Sequence, residues 1–336
     1  MNKLLKISTA SLFAFSAYSV QAGTLSDVQS AGELSCGVST SLTGFSAPDS
    51  TGHWAGIDVD VCRAIAAATL GDATKVKFVP LTAKERFTAL QSGEIDVLSR
   101  NTTWTMQRDA SLGLNFAGVN YYDGQGFMVK SSLGVSDAME LGGAVFCIQA
   151  GTTTELNLAD WANANGISYE SVVSDTNQQT VDNYVAGRCD VLTSDVSGLA
   201  SMRASLDDPS ASKVLGNVIS KEPLGPVVRQ GDDEWFNIVK WTLNAMIQAE
   251  ESGVTSATVD EVTANPTRER LMGRQNSVTH EYLHLSPDWS YQIIKQVGNY
   301  GESFERNIGV NTPIGLSRGP NQLWTKGGIL YAPAFR

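Results

Sequence analysis

Between residues 34 and 99 the apolar positions change period several times. Leu34-Ser35-Cys36-Gly37-Val38 reads as a short strand. Ile57, Val61, Ile65 and Ala68 then recur at helical spacing until Gly71 stops the run. Val76-Lys77-Phe78-Val79 reads as a second strand, Glu85 to Ser92 as a short helix, and Ile95-Asp96-Val97-Leu98 as a third strand. Strands alternating with helices predict a parallel α/β sheet.

The design then returns. GEIDVLS at Gly93–Ser99 is echoed by GRCDVLT at Gly187–Thr193, each after a short helical segment. Gly32 to Cys36 is echoed by Gly143 to Cys147, a glycine, three residues, then a cysteine on a strand. Two similar lobes follow from matches in the same order at the same structural points. Tyr121 to Lys130 and Lys221 to Asp232, the latter with Pro223 and Pro226, are the crossings between them. Two crossings make a hinge rather than a loose linker. The expected division is lobe one over 23–124, lobe two over 125–222, a return part of lobe one over 223–264, and a C-terminal extension over 265–336 packed on the lobes.

Residues 1–22 read as a secretory leader. Lys3 and Lys6 precede an apolar stretch from Ile7 to about Tyr18, and Val20-Gln21-Ala22 offers a small-residue cleavage site. No later stretch reaches the roughly 20 apolar residues that a membrane span needs. The chain is therefore expected to be exported to the periplasm and not membrane-inserted. A formal net charge of −11 argues against nucleic acid or an anionic membrane as partner. Four cysteines in an exported chain suggest two disulfides. A bridge between lobes would lock the hinge, so Cys36–Cys62 and Cys147–Cys189 are the expected pairs.

In open parallel sheets ligands bind beyond the carboxyl ends of the strands. The third strand of lobe one runs into SRNTTWTMQR, which supplies Asn101, Thr103 and Arg108, the last suited to bidentate capture of a carboxylate. In lobe two the first strand ends in AGTTTEL, where Thr152 and Glu155 have capping-box spacing. The free N–H groups of Thr153 and Thr154 would favour an anion there. The repeated strand ends in LTSD at Asp195, an acceptor for an ammonium group. An arginine, a helix start and an aspartate facing one cleft describe a zwitterion.

At this point the chain resembles the type II periplasmic substrate-binding proteins of amino-acid ABC transporters, closest to the general L-amino-acid-binding branch. The matching motifs are GIDVDVCRAIAAA, ALQSGEIDVL, the T-x-x-R of TWTMQR, QAGTTTEL, GRCDVLTSD, PLGPVVRQGDDEW and the tail from WSYQIIKQVGNYGESFERNIGV to GGILYAPAFR. The resemblance implies a two-lobed α/β Venus-flytrap fold, an L-amino acid as ligand and an inner-membrane ABC permease as partner. It also implies Arg108 on the ligand carboxylate, Asn101 and Thr103 as hydroxyl and main-chain contacts, the Thr153 N–H on the carboxylate, and Asp195 on the ammonium. Arg100 and Asn177 are candidates for the ligand's side chain, with Phe45 and Trp104 as weaker ones. Relatives selective for basic ligands place an acidic residue where this chain has Ser39, so polar and acidic ligands are favoured. No cofactor or metal is expected, and the protein is expected to act as a monomer. The same fold hosts periplasmic dehydratases, but an enzyme needs a general acid or base at the reacting carbon. The only histidine before residue 280, His53, lies in the apparent loop PDSTGHWAG.

One motif points elsewhere. His280-Glu281-Tyr282-Leu283-His284 matches the H-E-x-x-H of zinc peptidases. That chemistry needs both histidines on one helical face and a third ligand. Pro287 follows closely, and no histidine comes after His284. The segment is expected to be structural.

Overall fold

The computed structural model describes residues 23–261, 265–274 and 277–336. The expected leader lies outside them. Two five-stranded sheets dominate. The first runs Val76–Pro80, Leu34–Val38, Val97–Leu98, Val227–Arg229, Leu114–Phe116; the second runs Glu170–Ser174, Val145–Gln149, Val191–Asp195, Gln125–Lys130, Ser212–Val214. In each sheet the first three strands are parallel and the fourth runs antiparallel to its neighbours. The sheets are thus mixed, where strand–helix alternation predicted wholly parallel ones. The reason is the double crossing: the fourth strand of each sheet is the segment that has just arrived from the other lobe.

The third strand is also shorter than the apolar pattern suggested, forming only at Val97–Leu98. The Asp96 carboxylate accepts the Ser35 N–H at 2.8 Å, a bond that a ladder carbonyl would otherwise take. Between the lobes Tyr121–Asp123 pairs antiparallel with Glu222–Leu224, so the two crossings form a small sheet of their own. No helix among the described residues is long and apolar enough to span a membrane.

The helix Ile57–Leu70 starts after Gly56, at φ 134°, where an added Cβ would lie 2.0 Å from the Phe45 carbonyl oxygen. Only glycine fits there. Its alanines 64, 66, 67 and 68 are all buried, because the first sheet covers one side and the C-terminal extension the other. The helix Trp289–Gln296 packs on it and buries Ile293 and Ile294, each contributing about 1.5–3 kcal/mol by burial. Ser303, Arg306 and Asn307 of the next helix donate to the buried Asp60 carboxylate at 2.6–2.7 Å. The extension also reaches the first crossing. Asn321 exchanges two hydrogen bonds with the Tyr122 backbone (2.7 and 3.0 Å), and Tyr300 Oη donates to the Asn120 carbonyl.

Disulfides join Cys36 to Cys62 and Cys147 to Cys189, with Cα separations of 6.1 and 5.6 Å. Cys36 and Cys147 occupy the second strand of their respective sheets, but their partners differ in place, Cys62 on the following helix and Cys189 just before the third strand. The bridges close chain separations of 26 and 42 residues. Loop entropy then gives about 3–4 kcal/mol for each bridge. Replacing Cys147 and Cys189 together by serine is expected to lower the urea midpoint accordingly, read by far-ultraviolet circular dichroism.

The HEYLH segment forms only a 3-10 turn at Glu281–Leu283, and His284 adopts a left-handed backbone at φ 52°. The two histidines therefore do not share a helical face. His284 pairs with Glu234, and His280 Nδ1 is buried without a partner among the described residues. No group of three metal-ligating side chains comes together among the described residues.

Candidate functional site

The loops that leave the parallel strands converge between the lobes. A small, closed cavity there is lined from lobe one by Arg86, Arg100, Asn101 and Thr103, and from lobe two by Gln149, Thr153, Asn177 and Asp195. The lobes touch around it. Thr103 and Thr153 hydroxyls lie 3.4 Å apart, and Arg86 Nη2 donates to the Gly151 carbonyl at 3.4 Å. Ser201 donates to the Thr43 carbonyl at 2.6 Å, and Lys84 pairs with Asp175 at 2.6 Å on the rim. This is a closed cleft.

Six of the seven residues singled out for ligand contact line the cavity: Asn101, Thr103, Arg100, Thr153, Asn177 and Asp195. Arg108 stands just behind it. Its Nη1 donates to the Thr103 carbonyl at 2.9 Å and its guanidinium lies over the Phe87 ring at 5.2 Å. Its other side-chain donors have no protein partner among the described residues. Arg100 is 2 % exposed and held through Nε by the Leu81 carbonyl at 2.9 Å. Asn101 has φ 34°, a conformation that Asn tolerates better than most residues, and its N–H donates to the buried Asp58 carboxylate at 2.6 Å. Phe45 instead packs edge-on against Tyr121 in the core, and Trp104 stacks on Phe116, so neither lines the cavity. His53 is exposed in a turn with Asp49 and Thr51.

The capping box expected at Thr152 and Glu155 does not form. Thr152 Oγ1 donates to the Gln149 carbonyl at 2.7 Å, and Glu155 accepts the Gly151 N–H at 3.1 Å. The start of the helix Thr153–Asn165 is left without a side-chain cap. Its first amides therefore keep their hydrogen-bonding capacity and the positive end of the helix dipole for an anion in the cleft. A true capping box does form at the start of the next helix, at Thr176 and Gln179, where it seats Asn177.

Charge is crowded here. Burial pushes the Asp195 carboxyl well above its ordinary range, and the nearby Asp123 and Glu222 carboxylates add to that, while Asn101 and Arg86 oppose it. Burial likewise carries Asp123 and Asp58 up to about 6. Burial lowers Arg86 well below the usual arginine value, helped by Arg100 and Arg108, and takes Arg100 down to about 10. Buried polar atoms without a protein partner among the described residues gather in the same place: Arg86 Nε, Asn101 Oδ1, and Gln125 Oε1 on the strand paired with Asp195. Such a site is built for a ligand carrying both signs of charge.

Sequence reasoning missed Arg86 and Gln149 in the lining, and Glu222 behind it. Arg86 opens the short helix Arg86–Ser92 and looks like a surface cation, yet it is 2 % exposed. Glu222 lies in a crossing that reads as a linker. A second hollow, lined by Lys130, Val181, Tyr184 and Leu206, opens at the far end of the strand Gln125–Lys130 and lies apart from this cluster of charges.

The chain is similar over its length to several known proteins. The general L-amino acid-binding periplasmic protein AapJ of Rhizobium johnstonii is 56% identical over 100% of this chain and 99% of its own. The glutamate/glutamine/aspartate/asparagine-binding protein BztA of Rhodobacter capsulatus is 51% identical over 100% of both chains. A periplasmic binding protein of an ABC transporter from Brucella ovis, solved with glutathione bound, is 53% identical, covers 94% of this chain and 100% of its own, and superposes with a TM-score of 0.92. The two-lobed α/β architecture is thus the type II periplasmic-binding fold. Residues 34–257 match the model of the bacterial extracellular solute-binding proteins, family 3, and with two lobes closing on a charged cleft, the chain belongs to that family.

Proposed function

We propose that this protein captures L-amino acids outside the inner membrane and delivers them to an ABC permease, acting as a carrier rather than an enzyme. The observation that carries the reading is the cleft itself. Arginines of lobe one face an uncapped helix start and the Asp195 carboxylate of lobe two, which matches an α-carboxylate and an α-ammonium. In this reading Arg108 and the amides near Thr153 hold the carboxylate, and Asp195 holds the ammonium. Asn101 and Thr103 add polar contacts. Arg86, Arg100 and Asn177 meet the ligand's side chain, which favours acidic and polar amino acids over basic ones. The names of the two relatives, a general amino-acid binder and a binder of glutamate, glutamine, aspartate and asparagine, support the same class.

The leader at 1–22 would export the chain, and the lobe division at 23–124, 125–222 and 223–264, with the extension at 265–336, would set the hinge. A ligand stabilises the closed form only through contacts better made there, so Asp195 and Thr153 on lobe two sense closure for a ligand first bound to lobe one. A thermal-shift screen across the amino acids tests the proposal. A ligand that binds only the native protein at a hundred times its Kd adds about 2.7 kcal/mol, and glutamate, aspartate and their amides are expected to give the largest shifts. No shift with any amino acid would overturn it.

A further inference from the structure

Glu222 is 1 % exposed, sits on the second crossing, and is the acceptor for groups from both lobes. Its Oε2 accepts the Thr103 hydroxyl of lobe one at 2.6 Å and the Thr153 hydroxyl of lobe two at 2.9 Å. Its Oε1 accepts Asn157 Nδ2 and Ser220 Oγ, each at 2.6 Å. We propose that Glu222 is a closure latch: a hinge carboxylate that pins the two ligand-facing threonines together and so sets the free energy of closing the cleft.

Two consequences follow from the chemistry. The latch bonds are protein–protein contacts, so they favour closure whether or not a ligand is present. Each threonine hydroxyl has one proton, and both protons are given to Glu222. Thr103 and Thr153 Oγ1 therefore offer only lone pairs to the cavity, a fixed polarity. Glu222 acts through these threonines and is a positioning residue.

The inference rests in part on the amino-acid reading above, and the test separates the two. Glu222→Gln keeps the shape and removes the charge; Asn157→Ala cuts one arm of the latch outside the cavity lining. Calorimetric titration with glutamate, glutamine and alanine is expected to show Glu222→Gln weakening each ligand by one common factor of about ten- to hundredfold, the range for hydrogen bonds to a charged group. Asn157→Ala should weaken them less, again by one factor, and add little in the double variant. Small-angle scattering of the ligand-free proteins should give a larger radius of gyration for Glu222→Gln than for the wild type. A lower unfolding midpoint with unaltered binding would reduce Glu222 to a structural residue and overturn the latch. Loss confined to one ligand would make it a side-chain contact instead and also overturn it. Equal scattering curves overturn it as well. If the wild type binds no amino acid, the functional reading fails, while the scattering comparison still decides the latch.

Discussion

Arg108→Ala is expected to leave a folded protein that no longer takes up amino acids at micromolar concentration. The guanidinium is already held in place, since one nitrogen is committed to the Thr103 carbonyl and the plane rests on Phe87. Its other donors have no protein partner among the described residues. A carboxylate between Arg108 and the uncapped helix at Thr153 would take those donors in a site largely shielded from water. Truncating one member of a buried charge pair costs about 2–5 kcal/mol, or about thirty- to several-thousand-fold in affinity. The fold loses little, since one hydrogen bond and one ring contact are removed, so the thermal midpoint should change only slightly. Isothermal titration with glutamate reads the first effect and a melting curve the second. Undiminished binding would move the carboxylate site to Arg86 and Arg100.

Asp195→Asn should be nearly as damaging at neutral pH and should also erase a pH dependence. In the ligand-free cleft Asp195 is held well above the ordinary carboxylate range by burial and by Asp123 and Glu222. An ammonium beside it favours the ionised form, so binding lowers its pKa and releases a proton. Affinity is therefore full where the free carboxyl is already ionised, and it is lost as pH falls through the raised value. Below that raised value the decline should approach about tenfold per pH unit. Titrations in buffers of different ionisation enthalpy should detect the released proton for the wild type and not for Asp195→Asn. An affinity flat from pH 8 to pH 5 would show that Asp195 does not meet the ammonium.

Much of the architecture was legible because it is local and periodic. Ile57–Leu70 begins and ends where its spacing and Gly71 place it, and the echo of GEIDVLS by GRCDVLT marks the third strand of each sheet. Strand direction was not legible. The antiparallel strands Gln125–Lys130 and Val227–Arg229 are defined by where the chain has come from, which no window of sequence records. The same holds for the site. Asn101, Thr103, Thr153 and Asp195 stand at strand ends, so a rule about strand ends finds them. Arg86 and Glu222 owe their burial to several segments meeting, and each looks ordinary in its own neighbourhood. The capping box and the HEYLH motif fail for a related reason: a fitting spacing was overruled by nearby backbone groups at Gln149 and Gly151, and by a left-handed turn at His284.

The hold of Asn321 on Tyr122 spans 199 residues of chain. In terms of assembly, it makes the half of the molecule that is synthesised first the last to be completed. All five strands of the second sheet lie between Gln125 and Val214, so that half needs nothing from either end. The first sheet must wait for Val227–Arg229, and the helix Ile57–Leu70 must wait for the helix Trp289–Gln296 to cover its outer face. Contacts of such long range form late, because the intervening chain must be closed into a loop before they gain anything. The leading segment thus stays uncommitted until the tail arrives.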